Sequence, residues 1–436
     1  MSFDVVILGG GESGVGAALL ARRRGLRVWL SEKGRLRPEH RETLTTHGIP
    51  YEEGRHTEKR LLEGEVVVKS PGIPEEAPPV QLLRRHGREP ISEIEFAARF
   101  TDALLVGITG SNGKTTTTLL THHLLKSAGW DAEVCGNVGK SFARCLSEGE
   151  RRCYVLELSS FQLDGIVAFR PRVGVLLNIS PDHLDRYGGS LERYARSKLR
   201  LTLNQQPEDL LIYNSRDEWL QRLVPTSGTR ARLLGLEPPE EARGLLNAGG
   251  RTFEMPEHSL QGVHNRFNAA CAVAVALELG VPPDAVQQGL LSFRNPPHRL
   301  ETVADQGGVR FINDSKATNV EAVRYALLSM DRPVVWIAGG TDKGNDYAPL
   351  LPLVREKVRA LVCLGLDNRK LRATFEGLVP AIAETRSMDE AVALARSYAR
   401  PGDVVLLSPA CASFDLFRNF EDRGDQFRRA VLHNDA

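Results

Sequence analysis

At 436 residues the chain is too long for one ordinary core, and an allowance of roughly 150 residues per domain predicts about three domains, each large enough to bury its own core. The 56 Lys plus Arg balance 55 Asp plus Glu to a formal charge of +1, which excludes a bulk field that would recruit nucleic acid or an anionic membrane, so any anion must be bound locally. Six scattered cysteines without a C-x-x-C pair argue against a zinc ribbon or redox motif and for a reducing compartment.

In chain order, the opening MSFDVVILGGG reads as a short apolar strand rather than a secretory signal, and no apolar run approaches the roughly 18 to 20 residues of a bilayer span. A soluble cytoplasmic protein is expected. Short apolar runs then recur ahead of Gly-rich turns and longer amphipathic stretches: Val5 to Leu8, Val66 to Val68, Leu104 to Ile108, Tyr154 to Leu158, Val173 to Leu177, Val334 to Ala338, Leu361 to Leu364 and Val404 to Leu407. That alternation predicts βαβ units and an α/β fold with parallel sheets, whose ligands sit at the carboxyl ends of the strands. The Pro-rich segment Pro71 to Pro79 with the helical stretch Glu93 to Phe100, and the interruption Asn295-Pro296-Pro297-His298-Arg299, suggest three parts: 1–92, 93–298 and 299–436. The stretch from about Pro207 to Leu260 is polar, with a weak strand pattern and no motif. Arg22-Arg23-Arg24 reads as a solvated helix face, Trp29 and Trp336 as core, and His122-His123 as helix surface rather than a metal site.

The first motif, Gly9-Gly10-Gly11-Glu12-Ser13-Gly14, follows a strand and matches G-x-G-x-x-G, with Glu32 at the end of the next strand. On pattern alone it reads as an NAD loop. The second is stronger: Gly107 to Thr116 follows a strand, precedes a helical run, and carries Thr109-Gly110-Ser111-Asn112-Gly113-Lys114-Thr115. Glycines let backbone N–H groups close around phosphate oxygens, Lys114 supplies a point charge, and Thr115 is placed to ligate magnesium. Ile108 stands where the strict phosphate-loop pattern has glycine. Glu157 then ends an otherwise apolar strand, where burial is costly unless a cation is met. Asp182-His183-Leu184-Asp185-Arg186 follows at another strand end.

Together with Tyr194-Ala195-Arg196-Ser197-Lys198, these segments resemble, in order, the ATP and magnesium motifs of the Mur ligase family, and the resemblance covers essentially the whole chain. It implies three domains: a Rossmann-like N-terminal domain, a central P-loop ATPase-like domain and a Rossmann-like C-terminal domain. It implies a catalytic set of Lys114, Glu157, His183 and Lys198. ATP would be held by Gly110, Ser111, Asn112, Gly113, Lys114, Thr115 and Thr116, with Asn268 at the adenine and Arg299, Asp314 and Lys316 as further contacts. Thr115 and Glu157 would hold one Mg²⁺, and His183 and Lys198 a second, Lys198 acting as a carbamate.

Within the family, Asn112 in place of histidine, the stretch Ser408 to Asp415 continuing to Phe420-Glu421-Asp422-Arg423-Gly424, and the lack of a D-N-P-R signature imply the addition of D-glutamate to UDP-N-acetylmuramoyl-L-alanine. Lys343, Ser413 and Phe420 would recognise D-glutamate. Gly11, Glu12, Ser13, Ser31, Glu32, Ser70, Asn137 and His183 would serve the sugar nucleotide, so the first glycine loop would hold UDP; Thr318 and Phe414 complete the substrate contacts. A monomer without nucleic-acid or membrane partners is expected. The rivals are a folylpolyglutamate synthase-like ligase, against which the N-terminal glycine-rich domain and the Ser408 to Ser413 segment count; an NAD-binding oxidoreductase, which leaves Lys114, Glu157, His183 and Lys198 idle; and a GTPase switch, for which no N-K-x-D motif is present.

Overall fold

The computed structural model of the chain describes residues 3–240, 244–256, 260 and 262–433. It divides into two compact units: Met1–Pro238 with Asn247–Phe253 and Asn268–Leu291, and Pro239–Leu246 with Glu254–Phe267 and Ser292–Ala436.

The first unit holds two parallel sheets. One comprises β1 (Phe3–Leu8), β2 (Val28–Ser31), β3 (Tyr51–Glu52), β4 (Gly64–Lys69) and β5 (Ile91–Ser92) in the order β3-β2-β1-β4-β5. The other comprises β6 (Leu104–Thr109), β7 (Ala132–Gly136), β8 (Cys153–Glu157), β9 (Val173–Leu176), β10 (Leu210–Asn214) and β11 (Arg232–Leu236) in the order β11-β10-β9-β6-β8-β7. β1 lies between β2 and β4, and β6 between β9 and β8, so each glycine loop leaves its sheet where the strand order reverses, the usual place for a ligand in an open α/β sheet. All eight predicted apolar runs are strands or run at most one residue past one. β10 and β11 fall inside the stretch read as weak; residues 241–243 and 257–259 of that stretch lie outside the described residues.

The two sheets share one apolar core, which runs from Val5 and Ile7 through Phe96 and Phe142 to Leu176 and Leu211. The helix Glu12–Arg23 crosses the helix Phe142–Glu148 so closely that a Cβ on Gly16 would lie 2.0 Å from Ser141 Oγ. Glu95 is fully buried, yet its Oε2 accepts the backbone N–H groups of Val167, Ala168 and Phe169 at 2.8 to 2.9 Å, which offsets its desolvation. Arg22, Arg23 and Arg24 are exposed, as a solvated helix face predicts, and two of them also bond the neighbouring surface: Arg23 donates to the Ser147 carbonyl, and Arg24 to the Phe100 carbonyl at 2.8 Å and Glu150 at 2.6 Å. His122 and His123 are half-buried rather than on the helix surface, and burial lowers the pKa of both.

A two-stranded ribbon, β12 (Leu246–Ala248) and β13 (Arg251–Phe253), follows. In the second unit, β14 (Glu301–Gln306), β15 (Val309–Asn313), β16 (Val334–Gly339), β17 (Val358–Leu364), β18 (Ile382–Thr385) and β19 (Val404–Ala410) form a sheet in the order β14-β15-β19-β16-β17-β18. Only β14 runs antiparallel to its neighbour. Trp29 and Trp336 are buried, as their apolar strands predict, and Trp336 Nε1 donates to the Ser408 carbonyl at 2.7 Å. Among the described residues, no helix is long and apolar enough to cross a membrane.

Candidate active site

β6 ends at Thr109 and the helix Lys114–Ser127 begins five residues later, leaving a short loop that turns back on itself. Gly110 and Gly113 have φ of 154° and 84°, and a Cβ on Gly113 would sit 2.4 Å from Asn268 Oδ1, so glycine is required there for both backbone and space. The loop is clasped from below: Ser111 N donates to Asn178 O at 2.9 Å, Asn112 N to Asn178 Oδ1 at 2.9 Å, and Ser111 Oγ to Ser180 O at 2.9 Å. Lys114 Nζ folds over the loop and donates to the carbonyls of Gly110 (2.9 Å) and Ser111 (2.8 Å). Thr116 is buried beneath. The structure therefore brings Asn268 to the phosphate loop, although 155 residues separate it from Gly113 in the chain.

Parallel pairing of Ile108 with Glu157 sets the carboxylate of Glu157 beside the loop. Its Oε2 accepts from Thr115 Oγ1 at 2.6 Å and its Oε1 from Asn137 Nδ2 at 2.8 Å. A hydroxyl, a carboxylate and an amide are hard oxygen donors of the kind magnesium takes, so these residues fit such an ion. Among the described residues, no group of three or more His, Cys, Asp or Glu side chains is placed to hold a metal ion.

His183 adopts the left-handed backbone (φ 53°), its Nε2 is 3.6 Å from Asp182 Oδ2, and its ring meets Phe161 edge-on at 5.3 Å. Phe161 also stacks on Tyr187 and lies under the Arg186 guanidinium. Lys198, on the helix Leu191–Leu199, is 1% exposed, with Nζ 4.4 Å from the centroid of the Tyr194 ring. Burial and the charge of Lys114 hold its ammonium well below the usual lysine range, against the opposing pull of Asp182, Asp164 and Glu157. Lys114, Glu157 and Lys198 thus share one electrostatic neighbourhood.

At the end of β1, Gly9 has φ of 101°, and a Cβ on Gly14 would lie 1.9 Å from Gly9 O, the close approach that a G-x-G-x-x-G turn requires. Gly10 N and Gly34 N both donate to the Glu32 carboxylate, at 2.6 and 2.7 Å. Ser70 Oγ donates to Gly9 O at 3.2 Å, Gly11 caps the helix Glu12–Arg23, and Ser13 lies on that helix's first turn. Two residues assigned to the sugar nucleotide are engaged elsewhere. Glu12 pairs with Arg144 at 2.8 Å and accepts from Ser141 N, while Ser31 bonds Glu52 at 2.8 Å and His56 at 2.7 Å. Sequence reading passed over Arg186 as a contact: it donates to the carbonyls of Pro71 (3.3 Å), Gly72 (3.4 Å) and Ile73 (3.4 Å), joining the loop after β4 to the His183 loop.

In the second unit, Asp314 follows β15 and is buried; Ser408 Oγ donates to its Oδ2 at 2.9 Å, and burial pushes its pKa up to about 7. Arg299 is half-buried and its charge acts on the same carboxyl group. Lys316 Nζ lies 3.7 Å from the centroid of the Phe420 ring, which places a residue assigned to ATP against one assigned to D-glutamate. Thr318 is half-buried, Ser413 buried, Lys343 exposed and Phe414 exposed to 74%. Arg423 escaped sequence reading. It is buried, and donates to Ser315 Oγ (3.0 Å), Ser315 O (2.8 Å) and Cys411 O (3.2 Å), pinning two strand-end loops together.

Comparison with known proteins matches three family models in chain order: the MurD N-terminal domain over residues 5–78, the Mur ligase middle domain over 108–276, and the Mur ligase, glutamate ligase domain over 298–411. The chain is 49% identical to the UDP-N-acetylmuramoylalanine--D-glutamate ligase of Porphyromonas gingivalis, covering 99% of each chain, and 46% identical to that of Christiangramia forsetii, again over 99% of each. Among solved structures, the UDP-N-acetylmuramate-alanine ligase of Thermotoga maritima superposes with a TM-score of 0.61 at 18% identity, over 99% of this chain and 100% of the other, a likeness of fold.

Proposed function

Because the chain belongs to the Mur ligase family, we infer that it is the ATP-dependent ligase joining D-glutamate to UDP-N-acetylmuramoyl-L-alanine in peptidoglycan precursor synthesis, with release of ADP and phosphate. Full-length identity with ligases of that activity carries the reading, and the cradle of Gly110, Gly113, Lys114, Thr115 and Glu157 supplies the chemistry it needs.

The substrate carboxylate attacks the γ-phosphate of ATP, a step limited by alignment and charge neutralisation rather than by a protein nucleophile. Lys114 provides a fixed positive charge at the loop, and the loop amides and helix N-terminus favour the phosphates. Magnesium held by Thr115 and Glu157, with a second ion served by His183 and Lys198, would neutralise phosphate charge. The resulting acyl phosphate meets the amine of D-glutamate, whose carboxylates are recognised by Lys343 and Ser413, and the tetrahedral adduct loses phosphate to leave the amide. Phe420 carries the Lys316 ammonium on its face and so orders that cation for the phosphates. Lys198 serves as a carbamate: burial and the Lys114 charge favour its neutral amine, the form to which carbon dioxide adds, and the product is an anion in place of a cation. The Gly9 turn holds the uridine nucleotide, parts 1–92, 93–298 and 299–436 divide the work between sugar nucleotide, ATP and amino acid, and the enzyme acts as a monomer in the cytoplasm.

Phosphate release from ATP in the presence of UDP-N-acetylmuramoyl-L-alanine, with and without D-glutamate, tests the function. Release is expected to require both. Release that ignores D-glutamate but follows a folate, or NAD reduction without phosphate release, would overturn it.

A further inference from the structure

Lys343 sits on the loop that leaves β16, and the residue before it is built into that loop by more bonds than a solvent-facing aspartate ordinarily makes. Asp342 Oδ1 accepts from Gly344 N at 2.6 Å and from Asn345 N at 3.0 Å, while Oδ2 accepts from the Tyr347 hydroxyl at 2.9 Å. Lys370 Nζ stands 3.4 Å from the same carboxylate. Tyr347 is itself buried, its ring 5.8 Å from that of Phe375 and its hydroxyl 3.3 Å from Cys411 Sγ, so the acceptor is gripped by a group that cannot drift.

The same loop is sewn to the strand end that carries Ser413. Thr341 and Ala412 exchange backbone hydrogen bonds at 2.8 and 3.2 Å, and Asn345 Nδ2 donates to Ala410 O at 3.1 Å. Backbone on both sides of Lys343 is therefore fixed relative to Ser413, the second residue assigned to the amino acid. A cation on a loop held this way loses less freedom when it captures a carboxylate, and that saving appears as affinity for that ligand alone.

We propose that Asp342, through its bonds to Gly344, Asn345 and Tyr347, is a positioning residue that presents Lys343 to the carboxylate of the D-glutamate substrate. The proposal rests on the assignment of Lys343 and Ser413 to D-glutamate given above.

The test is the steady-state KM for D-glutamate, ATP and UDP-N-acetylmuramoyl-L-alanine in Asp342→Ala, Asp342→Asn, Tyr347→Phe and Lys343→Ala, with thermal midpoints alongside. Asp342→Ala is expected to raise the D-glutamate KM about tenfold or more with the other two KM values within about twofold. Asp342→Asn keeps an amide oxygen for the Gly344 and Asn345 N–H groups and is expected to restore most of the affinity. Tyr347→Phe removes one hydroxyl and is expected to raise the same KM by a smaller factor, which tests the network even if Asp342→Ala does not fold. A near-normal D-glutamate KM in Asp342→Ala and Tyr347→Phe beside a raised one in Lys343→Ala overturns the positioning role. Equal rises in all three KM values, which a merely structural turn would give, also overturn it. An unchanged D-glutamate KM in Lys343→Ala removes instead the assignment of the pocket itself.

Discussion

The Thr115 hydroxyl, on the first turn of the helix Lys114–Ser127, and the Glu157 carboxylate, at the end of β8, meet at 2.6 Å. Their contact follows from the parallel register of β6 and β8, which sets the last residues of the two strands side by side. Glu157→Gln keeps the shape and the hydrogen-bonding oxygen but removes the charge, so the phosphate loop should survive while magnesium binding weakens. Loss of a charged partner of this kind is worth about 1.5–3 kcal/mol, or roughly ten- to a hundredfold in the magnesium concentration for half-maximal activity. A variant with an unchanged magnesium requirement would take Glu157 out of the metal site.

Docking of the first sheet on the second depends on Gly16. Its added Cβ would lie 2.0 Å from Ser141 Oγ and 3.0 Å from Arg144 N, and the latter is backbone that cannot step aside. Alanine is the better helix former by about 1 kcal/mol, but overpacking at such a crossing costs about 1–3 kcal/mol, so Gly16→Ala should lower stability by up to about 2 kcal/mol. The urea midpoint reads this directly. In the Ser141→Ala background the penalty should shrink, because the nearest atom is gone. A stabilised Gly16→Ala variant would mean the two helices are not in contact here.

Much of this fold is legible in the sequence because parallel strands covered on both faces become continuous apolar runs. β16 is buried at all six positions, and Val334 to Ala338 announces it. β11 gives no such signal: it is an edge strand, Arg232–Leu236, with no fully buried residue, and its pattern is close to that of a loop. The phosphate loop and Glu157 stand out in the sequence, one as a glycine-rich motif and the other as a costly carboxylate at a strand end, whereas Lys198 is singled out only by the resemblance to the Mur ligase family. Arg23, Arg24, Arg186 and Arg423 are not readable, because their partners are backbone carbonyls from 12 to 124 residues away that only tertiary packing supplies. His122 looks like a surface residue until its ring nitrogen is found 3.2 Å from the Ala132 carbonyl.

Glu93 gives the pH dependence of stability a definite sign. It is fully buried between the first two sheets, one carboxyl oxygen accepts the Ala143 N–H and the other has no hydrogen-bond partner, and burial raises its pKa from 4.5 to about 8. The folded state thus holds a proton that the unfolded chain releases above about pH 4.5. Its contribution to stability is fully present below that pH and is lost as pH rises towards about 8. Glu93→Gln cannot ionise, so the fall in urea midpoint between pH 5 and pH 8 should be shallower in the variant than in the parent chain. Parallel profiles would show that Glu93 does not titrate in that interval.

Lys198 offers the sharpest test of the catalytic reading. A lysine with 1% exposure beside the Lys114 cation is poorly placed as an ammonium next to a magnesium ion, since it would be desolvated and repelled at once, and the Asp182, Asp164 and Glu157 charges oppose this only in part. Addition of carbon dioxide to its neutral amine, with loss of one proton, forms an N–C bond and leaves an anion with two oxygen donors, which reverses the sign of that repulsion. Lys198→Ala removes the anion and opens space where it stood, so ligase activity should be lost while the thermal midpoint changes little by comparison with a core truncation. Formate or acetate at millimolar concentration should then restore part of the activity by occupying the vacant anionic position, and chloride at the same ionic strength should not. A fully active Lys198→Ala enzyme, or equal rescue by chloride, would leave the lysine with a packing role alone.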